Sequence, residues 1–578
     1  MTECFGFGSV KFPPPLPARC LIRFRLKNPT LAYMLLLGLL GWSRSASAKE
    51  LPPPHFDHER GLYFEPFTLA LSCKARDARL CYTTDGSQPG ISNGTFYTAP
   101  LRLTNTATVR VVALAEGKEA SEVETRSYIF PREVARQTGS GFPMSWGTNL
   151  AQAVPASYAI SPAVSSSPSR QAELAEALRA LPTLSVVLSP SDLFGSERGL
   201  FSHSQESGEE WERAASLEFL PADGTAGFHL GCGVRMQGGW SRRPEESPKH
   251  SLRLVFRKRY GPGQLKQPIF GDGPAKFDTL ILRGGNNNTW LHPSSVERRR
   301  ADYLRDPWMR ATYTAMGHPA ARDRFVHLYL DGLYWGVYDL CERPDEHFAA
   351  AHLGGTEHDY DARNADKILS GDDLAWKRLF ALANAGLESD ASYAALGELL
   401  DVPAFIDYMV LNLYGANGDW DRGSNWYAVR RRNPSGRYLF LVWDGERTLE
   451  GIDDNHLNDD DDESPTRLFQ KLRGNAEFRR TFSERARQHL TGSGVLAPAE
   501  AAARYRSLAE ILDPAIPAEA ARWGHYRRDV HPFKLGPYEI YTREEHWRPE
   551  VKRLLEEYFP HRARVVQKQF SAAGLLPP

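Results

Sequence analysis

The sequence predicts an α+β protein in which a small all-β domain precedes a larger mixed domain. Three observations support this class. Residues 51–130 consist of short β-forming runs separated by polar turns, the chain stays rich in strand-forming residues to about residue 340, and apolar residues then recur with a helical period. The chain has 578 residues, which is enough for several domains and a large core.

The small domain is predicted over residues 49–131 as a β-sandwich, since regularly spaced short strands with polar turns are typical of that architecture. The sequences CYTTDGSQP (81–89) and SYIF (127–130) make it similar to the chitobiase/β-hexosaminidase C-terminal-type domain, which implies an immunoglobulin-like accessory module. Carbohydrate contact through exposed aromatic rings and a role as a structural spacer both remain open. Because Tyr82 and Phe130 are expected in the core, few aromatic rings are left over, which favours the spacer.

The large domain is predicted over residues 179–578, after a linker rich in Ser, Pro, Ala and Gly at 132–178. Asp331-Gly332 predicts a tight hairpin turn between two aromatic strands. A helix is predicted just ahead of those strands, at residues 300–316. Later helices are expected where apolar residues follow a helical period, at 372–385, 391–400, 402–413, 465–490, 498–512 and 549–558.

The most informative stretch is NGDWDRGSNWY (417–427), followed by LFLVWDGE (439–446). Residues 426–431 and 437–442 are predicted to form two strands joined by the turn NPSG (433–436). Antiparallel pairing would bring Asn425 and Asp444 to the same end, with Asp419 and Asp421 one short loop away. Two oxygen ligands for Mg²⁺ and one carboxylate that orients a hydroxyl are what phosphate transfer requires. Each of these residues taken alone is more typical of turns than of a catalytic site.

From about residue 181 to the C-terminus, the chain resembles the CotH kinase family. The resemblance rests on those two stretches and on six further sequences in order: RMQGGWSR (235–242), PKHSLRLVF (248–256), FDTLILR (277–283), YLRD (303–306), FVHLYLDGLYWGVY (325–338) and ERPD (342–345). It implies an atypical protein-kinase-like, bilobal domain. Such a domain binds ATP with Mg²⁺ or Mn²⁺ and transfers the γ-phosphate to hydroxyl groups of a protein substrate.

By this resemblance, Asp419 is the catalytic residue, and Asn425 and Asp444 form the metal-binding pair. The sequence lacks the His-Arg-Asp, Asp-Phe-Gly and complete Gly-x-Gly-x-x-Gly motifs of ordinary protein kinases. In those kinases the metal-binding Asn follows the catalytic Asp by five residues. Here Asn425 follows Asp419 by six residues and Asp421 by four, so Asp421 remains a rival for the catalytic role.

Three further positions are assigned to nucleotide binding through the same resemblance. Lys249 matches the lysine that meets the nucleotide phosphates. Glu342 follows an aromatic strand, where the hinge of a kinase would cradle adenine. Arg242, at the end of RMQGGWSR, is the third candidate for contact with the cofactor.

The N-terminus is predicted to be a signal peptide covering residues 1–48. Basic residues precede an apolar run at 31–42, and Ala46-Ser47-Ala48 offers a cleavage site before Lys49. Export to the periplasm, cell surface or medium is therefore expected, with an uncleaved anchor as the alternative. No other stretch is long and apolar enough to span a membrane, and a formal net charge of -1 gives no general attraction to nucleic acid.

Four cysteines remain in the exported chain. Cys73 and Cys81 fall in neighbouring predicted strands and are candidates for a disulfide, whereas Cys232 and Cys341 are expected to be buried apolar residues. The sequence contains neither Cys-x-x-Cys nor His-Glu-x-x-His, so zinc is not indicated.

Three functions follow from these observations. The favoured one is an exported protein kinase. The second is transfer of AMP by the same fold, because a fold does not fix a reaction. The third is a non-catalytic surface or coat assembly protein with a degenerate kinase fold.

Overall fold

The computed structural model of the protein describes residues 50–149, 152–420, 425–531, 536 and 538–577. The predicted α+β class is confirmed, since helices account for 34% of the residues and strands for 23%. The predicted signal peptide, residues 1–48, lies outside the described residues. Within the described part, no helix is both long and apolar enough to cross a membrane.

The N-terminal β-rich region is a sandwich around a small apolar core. A five-stranded sheet has the order β2-β9-β8-β5-β6, and the pairs β1-β4 and β3-β7 share its core. Alternate residues of β8, Val109, Val111 and Ala113, are buried on the inner face. Tyr82 and Phe130 pack into the same core, as predicted. The strands are β1 (His55–Phe56), β2 (Gly61–Leu62), β3 (Phe67–Leu69), β4 (Leu71–Ser72), β5 (Arg79–Thr83), β6 (Thr95–Phe96), β7 (Leu101–Leu103), β8 (Ala107–Leu114) and β9 (Glu124–Ile129).

The segment after the sandwich contains short elements that pack on the large domain. It has a hairpin of two strands and three helices: α1 (Pro131–Val134), β10 (Ser145–Asn149), β11 (Gln152–Pro155), α2 (Pro162–Ser165) and α3 (Pro168–Ala177). The buried Trp146 indole donates to the hydroxyl of Tyr158 at 2.9 Å and lies 5.8 Å, centroid to centroid, from the ring of Trp335. Most of this predicted linker is therefore folded against its neighbours.

The first half of the large domain is a closed barrel with the strand order β12-β13-β14-β15-β18-β20-β19. Closure comes from parallel pairing of β12 with β19. All five residues of β12 are buried, which matches an apolar strand covered on both faces. The barrel strands and the small β16–β17 hairpin are β12 (Thr183–Val187), β13 (Arg213–Leu220), β14 (Phe228–Gln237), β15 (Ser251–Val255), β16 (Leu265–Lys266), β17 (Lys276–Phe277), β18 (Thr279–Arg283), β19 (Asp323–Leu330) and β20 (Leu333–Glu342).

The helix predicted at 300–316 begins five residues later, at Arg305, so that prediction was wrong in its start. The structure has α5 (Ser295–Arg299) and α6 (Arg305–Ala315), after the short α4 (Pro190–Phe194) that follows β12. Tyr303 adopts the left-handed conformation with φ 65°, which a continuous helix does not tolerate. The buried carboxylate of Asp302 accepts the Leu304 N–H at 2.8 Å and fixes this break.

The second half is mainly helical and contains a four-stranded sheet of order β22-β21-β23-β24. The central helix of this half, α10, is buried along nearly its whole length, and Asp401 caps its N-terminus. The run predicted at 465–490 divides in two, because the Asn475 side chain accepts the Phe478 N–H and starts a new helix. The elements are α7 (Glu346–Leu353), β21 (Tyr360–Asn364), β22 (Lys367–Ser370), α8 (Leu374–Ala385), α9 (Asp390–Gly397), α10 (Val402–Gly415), β23 (Trp426–Arg431), β24 (Leu439–Val442), α11 (Pro465–Leu472), α12 (Ala476–Leu490), α13 (Pro498–Leu512), α14 (Ile516–Trp523), α15 (Tyr526–Asp529), α16 (Arg548–Arg553) and α17 (Phe559–Ala572).

The suggested disulfide between Cys73 and Cys81 is not formed, and the cysteines within the described residues are free thiols. The Cys73 thiol donates to the carbonyl of Pro52, and the Cys81 thiol donates to that of Gly90. Cys232 and Cys341 are buried, as predicted.

The sandwich is attached to the barrel through buried polar contacts. Arg60 forms an ion pair of 2.5 Å with Glu218, whose side chain on β13 is fully buried. The hydroxyls of Ser127 and Ser185 lie 2.8 Å apart across the same interface. Burial raises the pKa of Glu218, and the Arg60 guanidinium opposes this shift. The sandwich is thus held by a specific charged contact that excludes water.

A buried carboxylate, Asp407 on α10, ties this helix to α12 and to the segment that follows α6. Arg485 of α12 donates to both of its oxygens, and His318 and His489 hydrogen-bond with it at 2.7 and 3.0 Å. Burial alone would raise the pKa of Asp407, but the bonds from His318, His489 and Arg485 outweigh burial and lower it. The ionised carboxylate therefore stabilises the fold.

Replacing Asp407 by Asn should lower the free energy of unfolding by about 3 kcal/mol, because Arg485 loses its charged partner in a largely buried position. A lowered folded pKa means that this stabilisation is complete above the unfolded pKa, near 4, and is lost as pH falls through the folded value. In urea unfolding, the difference between wild type and variant should therefore shrink as the pH falls below about 4.

The matched control for Asp407 is Glu484→Gln, which breaks an exposed pair with Arg480 on the same helix as Arg485. Exposed pairs contribute little, so this variant should unfold like the wild type. Equal losses in the two variants would contradict the special role of Asp407.

Candidate active site

Asn425 and Asp444 lie at the same end of the hairpin formed by β23 and β24. The register pairs Trp426 with Val442, so Asn425 directly precedes the first paired residue and Asp444 follows the last by two. The antiparallel pairing predicted for this hairpin is confirmed. The fold therefore brings two side chains that can each offer an oxygen ligand to the same end of the hairpin, although they are 19 residues apart in the sequence.

The loop that carries Asp419 is fixed to both α10 and the segment after Asp444. At the end of α10, the Asn417 side chain donates to the side chain of Asn412 and accepts the Asp419 N–H at 3.2 Å. The Gly418 N–H donates to the carbonyl of Arg447 at 3.0 Å. The Asn425 amide donates to the backbone carbonyl of Asp419 at 2.6 Å. Asp419 and Asn425 are thus directly joined, whereas Asp421 lies outside the described residues.

Asp444 has a strained backbone and a charged partner. Its φ is 61°, in the left-handed region, and its carboxylate lies 2.5 Å from Arg283 of β18. Burial is the largest influence on this carboxyl, and the neighbouring carboxylates of Glu446 and Asp306 add to it. The Arg283 guanidinium opposes these effects only in part, so the pKa of Asp444 is raised to about 6. A non-glycine residue held in this conformation is typical of functional sites.

Arg283 is the centre of an ion-pair network that sequence reasoning did not identify. Its guanidinium contacts Asp444 at 2.5 Å, Glu446 at 2.8 Å and Asp306 of α6 at 3.2 Å. Asp306 also accepts the N–H of Gly445 at 2.8 Å. Although burial disfavours the charged form, the three carboxylates raise the pKa of Arg283 well above its ordinary value. The network connects the barrel, α6 and the segment after β24.

A cavity lies beside this network, between the barrel and α6. Its wall includes Arg283 and the following glycines, Asp306, Asp339 and Glu446, together with the rings of Tyr303 and Tyr338. The network continues behind it, where Arg310 of α6 forms a buried ion pair with Asp339 of β20.

Two family models match the chain. The model described as CotH kinase protein matches residues 234–566, which is more than half of the chain, and the model described as Fn3 associated matches residues 69–128. The chain belongs to the CotH kinase protein family. Its predicted N-terminal β-sandwich is confirmed as well, and the model that matches there is the Fn3-associated one. No curated protein matches the chain.

Every candidate site residue falls within the CotH match, and that domain has a kinase-like fold. The barrel extends beyond the match, because β12 and β13 precede residue 234 and are needed to close it. The structural unit around the site therefore begins earlier than the recognisable CotH sequence.

Lys249 of the CotH domain does not line the cavity beside Arg283 and forms a fully buried ion pair of 2.6 Å with Glu519 of α14. Burial lowers the pKa of Lys249, and the Glu519 carboxylate opposes that shift. Its ammonium also lies 5.4 and 5.0 Å from the ring centroids of Tyr303 and Tyr338, which line the cavity. The phosphate-binding role of Lys249 stays a prediction.

Glu342 and Arg242 are likewise held by other residues. The Glu342 carboxylate, at the end of β20, bonds with Arg322 and His352. Arg242 donates to the backbone carbonyls of Gln205 and Glu206 at 2.7 and 2.8 Å. Neither residue lines the cavity beside Arg283, and their roles in nucleotide binding also stay predictions.

Proposed function

We propose that this CotH protein is an exported protein kinase, which uses ATP with Mg²⁺ or Mn²⁺ to phosphorylate hydroxyl groups of a protein substrate. The observation that carries the proposal is the junction of Asn425 with the Asp419 loop, at the same hairpin end as Asp444. The family match supports this reading, since it gives the domain a kinase-like fold.

The oxygens at this hairpin end suit a magnesium ion. The Asn425 amide donates through its nitrogen, which leaves the side-chain oxygen as a ligand, and the Asp444 side chain is 31% exposed. Among the described residues, no cluster of three or more His, Cys, Asp or Glu could hold a metal. Mg²⁺ in kinases is typically held by one or two protein ligands together with nucleotide phosphates, so such a cluster is not required. When bound, the ion would neutralise the phosphate charge.

The protein groups would contribute position and charge. Asp419 would accept a hydrogen bond from the attacking hydroxyl and orient it, with Asp421 as the alternative for that role. Asn425 and Asp444 would fix the metal and thereby the nucleotide. In phosphate transfer, such positioning and electrostatic stabilisation supply most of the rate enhancement.

Export and partners are part of the same proposal. The sequence of residues 1–48 supports export. We propose that the Fn3-associated module serves as a spacer or as a contact for carbohydrate. Its core aromatic rings, Tyr82 and Phe130, are committed to packing, which supports the spacer.

The test is the position of the label that the purified chain from Lys49 transfers to a protein acceptor. With γ-labelled ATP and Mg²⁺ or Mn²⁺, we expect labelled acceptor, and with α-labelled ATP none. Asp419→Asn should abolish the γ-label, because a neutral amide cannot replace a carboxylate in orienting the attacking hydroxyl, whereas loss of the label in Asp421→Asn alone would assign that role to Asp421. Transfer of the α-label would establish AMP transfer instead. No label, together with no ATP binding by calorimetry, would favour a non-catalytic assembly protein.

A further inference from the structure

The strand that precedes α6 ends on a cation that is paired with an acid on α6. Arg283 is the last residue of β18, and its Nε lies 3.2 Å from Asp306 in the first turn of α6. In ordinary protein kinases, a lysine on a strand pairs with a glutamate on the neighbouring regulatory helix, and this lysine holds the nucleotide phosphates. The same arrangement is present here, with Arg283 and Asp306 as the two members.

We propose that Arg283, rather than Lys249, is the cation that binds the nucleotide phosphates, with Asp306 as the helix-borne acid that positions it. This assignment rests on the proposed kinase function. Arg283 already contacts Asp444, the proposed metal ligand, at 2.5 Å and borders the cavity beside it. A cation so placed stands next to the metal and therefore next to the phosphates that the metal would bridge.

Lys249 is poorly placed for the same task. Neither its side chain nor that of Glu519 is exposed at all, and the two form a hydrogen bond of 2.6 Å. Lys249 is also absent from the wall of the cavity beside Asp444, which Arg283 lines. The pair is better explained as a connection between the barrel and α14.

The surroundings of Arg283 show that this corner of the site holds anionic oxygens. The backbone N–H groups of Asn286 and Asn287 both donate to one oxygen of Glu446, at 3.0 and 2.8 Å, and Arg283 contacts the other oxygen at 2.8 Å. Two successive N–H groups aimed at one oxygen form an anion-binding concavity, and here the carboxylate of Glu446 occupies it. Gly285 makes the turn possible, since its φ is +73° and a Cβ there would lie 2.5 Å from Thr289.

Calorimetry with ATP, ADP and adenosine, each with Mg²⁺, separates phosphate binding from a general structural role. Arg283→Gln should weaken ATP and ADP binding by roughly tenfold or more, since charge-assisted bonds to phosphate are lost, whereas Arg283→Lys, which keeps the positive charge, should lose less affinity. Adenosine affinity should stay at the wild-type value. Arg485→Lys is the matched control. It alters another arginine that is paired with a buried carboxylate, Asp407, and neither residue belongs to the proposed site. Thermal melts of each variant would report whether it is folded.

The outcomes distinguish this assignment from the proposed function. Parallel loss of affinity for ATP, ADP and adenosine would overturn the assignment, because it indicates a structural defect. Wild-type ATP affinity in Arg283→Gln, with loss confined to Lys249→Met, would also overturn it and leave the kinase function standing. Absence of both ATP binding and phosphate transfer in the wild type would overturn the two together.

Discussion

Asp444→Asn should reduce phosphate transfer by on the order of 10²–10³-fold, because it removes a charged ligand from the proposed metal site. The raised pKa of Asp444, about 6, shows that the fold does not favour its charged form. The neutral amide should therefore fold at least as stably as the carboxylate. Loss of activity with retained stability is the expected signature of a residue selected for chemistry.

Initial rates over a range of Mg²⁺ concentrations, combined with thermal melts, would measure both effects. The control is Asp453→Asn, an exposed acid nine residues further along the chain, which should behave like the wild type. If Asp444→Asn transferred phosphate at the wild-type rate at every Mg²⁺ concentration, Asp444 would not be a metal ligand. If it failed to fold, its role would be structural.

Glu519→Ala should lower the free energy of unfolding by about 3–5 kcal/mol, which is a large share of the stability of most proteins. The change leaves the Lys249 ammonium buried without a partner. It also removes the acceptor for the Val337 N–H of β20, which donates to Glu519 at 2.8 Å. The loss should appear in urea unfolding as a lower midpoint with an unchanged slope.

A double variant tests whether the cost comes from the uncompensated charge. Lys249→Met combined with Glu519→Leu should recover part of the lost stability, since well-packed apolar residues often replace a buried pair at little cost. The exposed pair Lys552–Glu556 provides the control, and disrupting it should change unfolding little. A double variant no more stable than Glu519→Ala would mean that packing around the pair, rather than its charge, determines the loss.

The hairpin between β23 and β24 could be predicted because its information is local. The turn NPSG and the flanking β-formers lie within 17 residues, and antiparallel pairing alone brings Asn425 and Asp444 to one end. The sandwich was predictable for the same reason, since regular turn signals separate its short strands.

The long-range ion pairs were not predictable, because the two members of each pair are far apart in the chain. Arg283 and Asp444 are 161 residues apart, and Lys249 and Glu519 are 270 apart. No periodicity or turn chemistry connects such positions, and only closure of the barrel against the helices brings them together. The later start of α6 was missed because the left-handed Tyr303 has no signal in sequence, unlike a glycine.

The buried contact between Arg60 and Glu218 has a mechanical consequence. Because breaking it would leave a charge uncompensated away from water, the sandwich is expected to move with the barrel as one body. The sandwich then acts as a rigid handle on the half of the domain that carries Arg283. A force applied to the outer end of the sandwich would therefore reach the barrel strands, and with them Arg283, rather than being absorbed at a flexible joint.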